Sequence, residues 1–161
     1  MILRLTNKTM NKIKTKVFDL EPSKDNKLPL SEWYVNHFKL GYKGYFIVTE
    51  LKSLYSIIEP SAGISSLKIF KDRMISFIRK LELESNLPNN SIDTTEIYIC
   101  KTNNRSILGS QNDLVRMAEA IFYYDGGKNK DLSKINETPM SYTKSFPDKD
   151  IIVEIKRIKD F

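Results

Sequence analysis

The chain has 161 residues, of which 40% are hydrophobic and 29% charged, and its formal net charge is +6. This composition is typical of a globular domain with a hydrophobic core and excludes a chain that is disordered over most of its length. No stretch approaches the roughly 20 apolar residues that cross a bilayer, so we expect no membrane-spanning segment and no membrane partner.

The first elements are a short strand and a short helix. Residues 2–5 alternate enough for a strand, and Thr6 or Asn7 is suited to cap the helix that follows. Apolar residues at three- and four-residue spacing predict that helix: Met10, Ile13 and Val17. Residues 21–27 combine a proline with turn-forming residues and are predicted to form a loop.

A β-rich centre follows. Successive side chains of an extended chain point to opposite faces. Residues 33–38 therefore predict a strand with Trp33, Val35 and His37 on one face and Tyr34, Asn36 and Phe38 on the other. Residues 41–44 form a turn into 45–49, a run that is apolar on both faces and therefore predicts an inner strand covered on both sides. A third run spans 54–58, and the short connections favour an antiparallel meander.

The clearest helix comes next, with Ser65 or Ser66 as its cap. Its predicted buried stripe has helical spacing: Phe70, Met74, Phe77, Ile78 and Leu81. Residues 86–90 are predicted to end it, and residues 94–100 have the β-branched and aromatic content of another strand.

The remaining elements complete the predicted architecture. Ser110 is predicted to begin a third helix, in a capping box with Asp113, and residues 125–127 to stop it. The buried face of this helix is predicted to hold Leu114, Met117, Ala118, Ile121 and Phe122. Residues 151–155 fit either a final strand or a short helix. We therefore predict an α+β fold, an antiparallel sheet of about four to six strands with two or three helices packed against it.

Domain organisation and location follow from the same patterns. We predict one domain over residues 1–161, with a polar tail from about residue 128 whose regularity the sequence leaves open. The N-terminus lacks the long apolar core of a signal peptide. The lone cysteine, Cys100, rules out an internal disulfide and fits a reducing compartment, so we expect a cytoplasmic protein.

Catalytic and metal-binding motifs are sparse. A thiol nucleophile needs an adjacent base, and the chain offers only Cys100 and His37 for such a pair. Cys100 lies in an apolar strand pattern, where a thiol is usually a small hydrophobe, and His37 lies among aromatic residues. One His and one Cys cannot build a zinc site, and calcium-loop and phosphate-loop motifs are missing from the sequence. We predict no catalytic residue, no metal and no cofactor.

The densest polar segment is 102–113, between a predicted strand and a predicted helix. Backbone N–H groups are free at such a junction, and Arg105 adds a permanent charge. The segment fits either a ligand site or a turn-and-cap structure in which Arg105 pairs with Asp113. The predicted ligand-binding residues are Asn103, Asn104, Arg105, Ser106, Asn112 and Asp113. Secondary candidates are Trp33, Asn36 and His37.

The basic charge leaves a nucleic-acid partner open without requiring one. Most of it comes from lysines scattered among Asp and Glu, which is typical of a solvated surface. Aromatic residues interleave with lysines between Trp33 and Tyr55 and fit either base stacking on an exposed sheet face or packing in the core. Packing is the favoured interpretation, because the same residues make good cross-strand pairs.

Residues 102–113 resemble the T-N-N-R-S-x-L-G-S-x-N-D signature of a family of small, uncharacterised bacterial proteins, a domain of unknown function. Weaker matches to the same family are Leu3–Lys8, Trp33 with Asn36 and Phe38, Thr49, and Ser53–Ser56. The resemblance covers roughly residues 1–125. Relatives often carry paired basic residues in the central hairpin, where this chain has residues 41–44, Gly-Tyr-Lys-Gly. The resemblance implies a shared domain and a shared site, without a reaction.

Three functions are consistent with these features. The leading hypothesis is a non-enzymatic binding or regulatory domain whose polar loop at 103–113 recognises a small anionic or polar ligand or a protein partner. The alternative is a nucleic-acid-binding protein that uses a basic, aromatic-rich surface. The third is an enzyme that acts on a phosphorylated substrate.

Overall fold

The protein is described by a computed structural model that covers residues 1–16, 18–20, 30–84, 86–87, 92–124, 132–137, 140 and 145–159. Within these residues the strands are β1 (Ile2–Leu5), β2 (Glu32–Leu40), β3 (Lys43–Glu50), β4 (Ser56–Pro60) and β5 (Tyr98–Lys101). The helices are α1 (Asn7–Lys12), α2 (Leu67–Glu84), α3 (Arg105–Tyr124) and α4 (Pro147–Lys159), with a 3-10 helix at Leu132–Glu137. The predicted α+β class is confirmed.

The strands form one sheet in the order β4-β3-β2-β1-β5. The meander β2-β3-β4 is antiparallel, as predicted, whereas β1 runs parallel to both β2 and β5. The prediction of an antiparallel sheet is therefore wrong on the β1 side, and the sheet is mixed. Tight turns force neighbouring strands to be antiparallel, but β1 is joined to β2 through α1, and a helical connection permits parallel strands.

Alternate side chains of the sheet enter two separate hydrophobic cores. The core on one face contains residues of α2 and α4 and these sheet residues: Leu3, Leu5, Trp33, Val35, Phe46 and Val48. The core on the other face contains residues of α3 and these sheet residues: Tyr34, Phe38, Leu40, Tyr45 and Ile47. The predicted two-faced strand and covered inner strand are both confirmed. Core packing is confirmed for five of the central aromatic residues, which are buried and therefore not open to base stacking: Trp33, Tyr34, Phe38, Tyr45 and Phe46. Tyr55 is partly buried against a core, whereas Tyr42, in the turn between β2 and β3, is exposed.

The amphipathic helix predicted after the meander is α2. All five residues of its predicted stripe are buried, and Ser66 Oγ accepts a hydrogen bond from the Ile69 amide at 3.4 Å. The cap of α1 is Thr6, whose Oγ1 accepts from the Thr9 amide at 3.3 Å. Local periodicity and capping chemistry therefore predict α2 and the start of α1 well. The predicted extent of α1 is wrong, because the helix ends at Lys12, Ile13 is its C-cap and Lys14 has a left-handed backbone with φ of 54°.

Two later elements differ from their predicted extent. β5 begins only at Tyr98, because Thr95 donates both its amide and its hydroxyl to the Asp93 carboxylate, a local turn that competes with strand pairing. The open prediction for residues 151–155 resolves as a helix within α4, where Ile151 and Ile155 lie one turn apart and are buried. This spacing places both on the face that packs against the sheet.

Some predictions lie outside the described residues: those for Val17, for the loop at 21–27, for the stops at 88–90 and 125–127, and for much of the tail from 128. Within the described part of the chain, each helix is too short or too polar to cross a bilayer.

Candidate functional site

The polar segment of residues 102–113 folds differently from its prediction. α3 begins at Arg105 rather than at Ser110, because Asn104 acts as its cap. The Asn104 Oδ1 atom accepts from the amides of Ser106 at 3.0 Å and Ile107 at 3.3 Å. Ser110 is therefore a buried residue inside the helix. The apolar period extends back to Ile107, which outweighs the cost of about 1 kcal/mol for a glycine at position 109.

The early start of α3 changes what its N-terminus can bind. Two of the backbone donors that the sequence left open are occupied by Asn104. Arg105 is exposed, and it forms no ion pair or side-chain hydrogen bond with any residue of the described ranges. Asp113 pairs with Arg116 at 3.3 Å, so the alternative in which Arg105 pairs with Asp113 is wrong. Asp113 lies eight positions after Arg105 in the helix, which places them about 12 Å apart along the axis.

The loop before α3 is held from beneath by buried side chains. The Tyr34 hydroxyl donates to Asn103 Oδ1 at 2.8 Å, and Arg4 Nη1 donates to the Lys101 carbonyl at 3.2 Å. Arg4 also forms a buried ion pair with Glu32, so its guanidinium links β1 to β2 and β5. Sequence reasoning missed this pair. Its signal is a charged residue in the middle of an otherwise apolar short strand.

A groove of about 350 Å³ lies at the carboxyl ends of β1 and β5. The chain leaves β1 into α1, whose Met10 packs on the core that contains α2, and leaves β5 toward α3, whose Ile107 is buried in the opposite core. Parallel neighbours whose connections diverge to opposite faces leave a crevice, and open α/β sheets bind ligands there. The residues that line this carboxyl-end groove are Thr6, Asn7, Lys8, Asn36, Lys101, Thr102, Leu108 and Asn112.

Asn36 is the most constrained polar side chain of the carboxyl-end groove. It is only 7% exposed, and its Oδ1 accepts from the Thr6 hydroxyl at 2.9 Å. Thr6 is fixed in turn by the amide of Thr9. The amide nitrogen of Asn36 has no hydrogen-bond partner among the described residues, although the side chain lines the groove. The fold therefore holds an N–H donor there in a fixed orientation.

The groove also has a marked electrostatic character. Lys8 and Lys101 are exposed and take part in no ion pair within the described part of the chain. The described lining contains these two cations, three asparagines, two threonines and one leucine, and it contains no carboxylate. Such a lining favours an anionic ligand with several hydrogen-bond acceptors.

The predicted site residues are distributed over several environments. Asn112 and the secondary candidate Asn36 are brought together in the groove, although they are far apart in the sequence. Asn103 and Asn104 are engaged in the loop and the cap, while Arg105 and Ser106 are exposed beside the groove without lining it. Asp113 points to solvent with Arg116.

The other two secondary candidates have local partners. Trp33 is fully buried, and its indole N–H donates to the Leu30 carbonyl at 2.8 Å. His37 packs on Phe46, and its Nε2 lies 3.1 Å from the Ser61 hydroxyl. Burial lowers the pKa of His37, and nearby lysines lower it further. His37 is therefore mostly neutral at pH 7.

The Cys100–His37 pair does not assemble. Cys100 is buried in β5 and aligns through Arg4 with Tyr34, whose side chain enters the α3 core. His37 lies three residues further along β2, so its side chain is on the opposite face. Within the described residues, His, Cys, Asp and Glu form no cluster of three or more that fits a metal ion.

Sequence reasoning missed much of the lining: Thr6, Asn7, Lys8, Lys101, Thr102 and Leu108. The sequence does contain one sign of these residues, a capping threonine directly after a short strand, which indicates a β–α junction. The junction after β5 is almost a hundred residues away, so only the parallel pairing of β1 with β5 shows that the two junctions meet.

Fold and groove together define an α+β domain with a ligand-sized crevice at the carboxyl ends of parallel strands. Residues 2–148 match the model of a family described as a domain of unknown function, DUF6933. The chain belongs to this family, which confirms the expected membership in a family without an assigned function. No curated protein matches the chain.

Proposed function

We propose that this protein is a binding domain whose carboxyl-end groove holds a small anionic ligand. The observation that carries the proposal is the lining of the groove, where Lys8, Lys101 and the buried Asn36 amide face one crevice. The described part of this lining contains no carboxylate. The proposal keeps Asn112 from the polar segment at 103–113 and moves the centre of recognition toward the start of α1.

The proposal is one of binding rather than of catalysis. The groups in the described lining are cations and hydrogen-bond donors or acceptors, which hold an anion in place. A covalent mechanism would need a nucleophile within reach of a base, and among the described residues the hydrogen bonds of Thr6 go to Thr9 and Asn36 rather than to a lysine of the lining. The nucleic-acid alternative has less support, since most of the central aromatic rings are buried and only Tyr42 among them is fully exposed.

Neutralising Lys101 tests the proposal. An anion at ten times its Kd stabilises the folded protein by about 1.4 kcal/mol. We therefore expect a Tm increase of roughly 3–6 °C for a chain of this size. Lys101→Gln should remove most of that increase, because it removes one of the two cations. The measurement is thermal unfolding with a panel of small anions at constant ionic strength.

Lys156→Gln is the matched control, because it removes the same charge from an exposed position on α4. It should keep the full ligand-induced increase. If both variants lost the ligand-induced increase in Tm equally, the stabilisation by anions would depend on the net charge of the protein alone. The groove would then not be the binding site.

A further inference from the structure

The charge of the carboxyl-end groove distinguishes between classes of anion. Two exposed lysines, Lys8 and Lys101, line it, and its described lining contains no carboxylate that would neutralise their charge. A phosphate monoester carries about −1.5 to −2 charges at pH 7, whereas a carboxylate carries one. The dianion therefore complements the two lysines more completely.

The fixed donor of Asn36 points to the same group. Its side chain is more than nine-tenths buried, and Thr6 holds its oxygen, so the unpartnered amide nitrogen is directed to the groove that it lines. Phosphoryl oxygens are strong acceptors for such a donor. An acceptor from the ligand would complete the hydrogen bonding of a group that the protein leaves unpaired.

The rest of the lining limits the organic part of the ligand. A groove of about 350 Å³ has room for more than a phosphate group. Its described lining has a single apolar side chain, Leu108, and no aromatic ring on which a nucleobase would stack. The hydroxyl of Thr102 and the amides of Asn7 and Asn112 are instead suited to hydroxyl groups.

We propose that the carboxyl-end groove binds the phosphate monoester of a small polyhydroxylated molecule, such as a sugar phosphate. This inference rests on the proposed function and assigns its ligand class. Asn36 donates to a phosphoryl oxygen, Lys8 and Lys101 neutralise the dianion, and Asn112 and Thr102 bind the hydroxyl groups.

Isothermal titration calorimetry on the whole chain tests this inference. The probes are glucose 6-phosphate and ribose 5-phosphate, compared with glucose, glucose 6-sulfate, inorganic phosphate, AMP and citrate. We expect the two sugar phosphates to bind most tightly. Glucose 6-sulfate has nearly the same shape but a single charge, so it should bind at least about fivefold more weakly.

Asn36→Asp tests the role of the amide, because it keeps the size of the side chain and the oxygen that accepts from Thr6. It replaces the N–H donors by a negative oxygen, so glucose 6-phosphate should bind more than tenfold more weakly. Lys156→Gln should bind as the unchanged protein does. If Asn36→Asp fails to fold, the side-chain amide resonances of Asn36 in the unchanged protein serve instead, and they should shift on addition of glucose 6-phosphate.

The other outcomes overturn the inference in distinguishable ways. Tighter binding of citrate or AMP, lost in Lys101→Gln, would overturn the ligand class and leave the proposed function standing. Sugar-phosphate binding that neither Asn36→Asp nor Lys101→Gln weakens would overturn the site and both proposals. Both would also fall if none of the anions bound, or if Asn36 resonances stayed unchanged at saturation.

Discussion

At the scale of single residues, the most demanding feature is the buried charge of Arg4. Its guanidinium and the Glu32 carboxylate are both almost fully buried, and Arg4 also binds the carbonyl of Lys101. Removing one partner of a buried ion pair leaves the other charge uncompensated in the interior. The Arg4 guanidinium therefore links three strands and holds the backbone of a groove residue, Lys101.

Arg4→Met should therefore destabilise the protein by about 3–5 kcal/mol, because it removes the guanidinium from beside the buried Glu32 carboxylate. The double variant Arg4→Met/Glu32→Leu should recover a large part of that loss, since it removes both charges of this pair. Urea unfolding of the three proteins gives the free energies. A double variant as unstable as Arg4→Met would show that the pair is not the cause.

At the scale of elements, α3 shows how capping and periodicity compete. The sequence around Ser110 has the form of a capping box, yet the helix begins five residues earlier at Arg105. Asn104 is an equally good cap, and starting there buries Ile107 as well as Leu114. The longer helix is the more stable one, because Asn104 already caps it and the additional turn buries Ile107. A cap at Ser110 would stabilise only the shorter helix.

The two candidate caps can be separated by substitution. Asn104→Ala should destabilise the protein by about 1 kcal/mol, because it removes the acceptor for the amides of Ser106 and Ile107. Ser110→Ala should have little effect, since alanine is favoured inside a helix. Chemical unfolding measures both. A larger loss for Ser110→Ala than for Asn104→Ala would place the start of the helix at Ser110.

At the scale of the whole molecule, α4 brings a second charged group to the sheet. Glu154 is buried and pairs with Lys52 and Arg157. Beside it, the buried Glu50 carboxylate accepts from the Lys52 and Ser53 amides and the Ser53 hydroxyl. Burial raises the pKa of Glu50, its hydrogen bonds oppose that rise, and Glu154 adds to it.

This raised pKa predicts a pH dependence of global stability. The folded protein binds the Glu50 proton more tightly than the unfolded chain does. The resulting contribution of Glu50 to the free energy of unfolding is therefore fully present below the unfolded pKa. It is lost as the pH rises through the folded pKa. Relative to Glu50→Gln, the unchanged protein should lose stability from the ordinary glutamate range upward. Urea unfolding of both proteins from pH 4 to 8 checks this. A difference in their free energies of unfolding that stays constant with pH would contradict the prediction.

The sequence by itself determined the α2 stripe, a cap for α1 at Thr6 or Asn7, the two-faced strand β2 and the meander β2-β3-β4, because their signals are local periodicity and turn chemistry. It also singled out Asn36 and Asn112, though not their common setting. Only the tertiary structure decided that β1 lies parallel between β2 and β5, where α3 begins, and that Lys8 and Lys101 share a groove with these two asparagines. The physical reason is that parallel pairing and burial depend on contacts between segments distant in the chain, which no local window of the sequence contains.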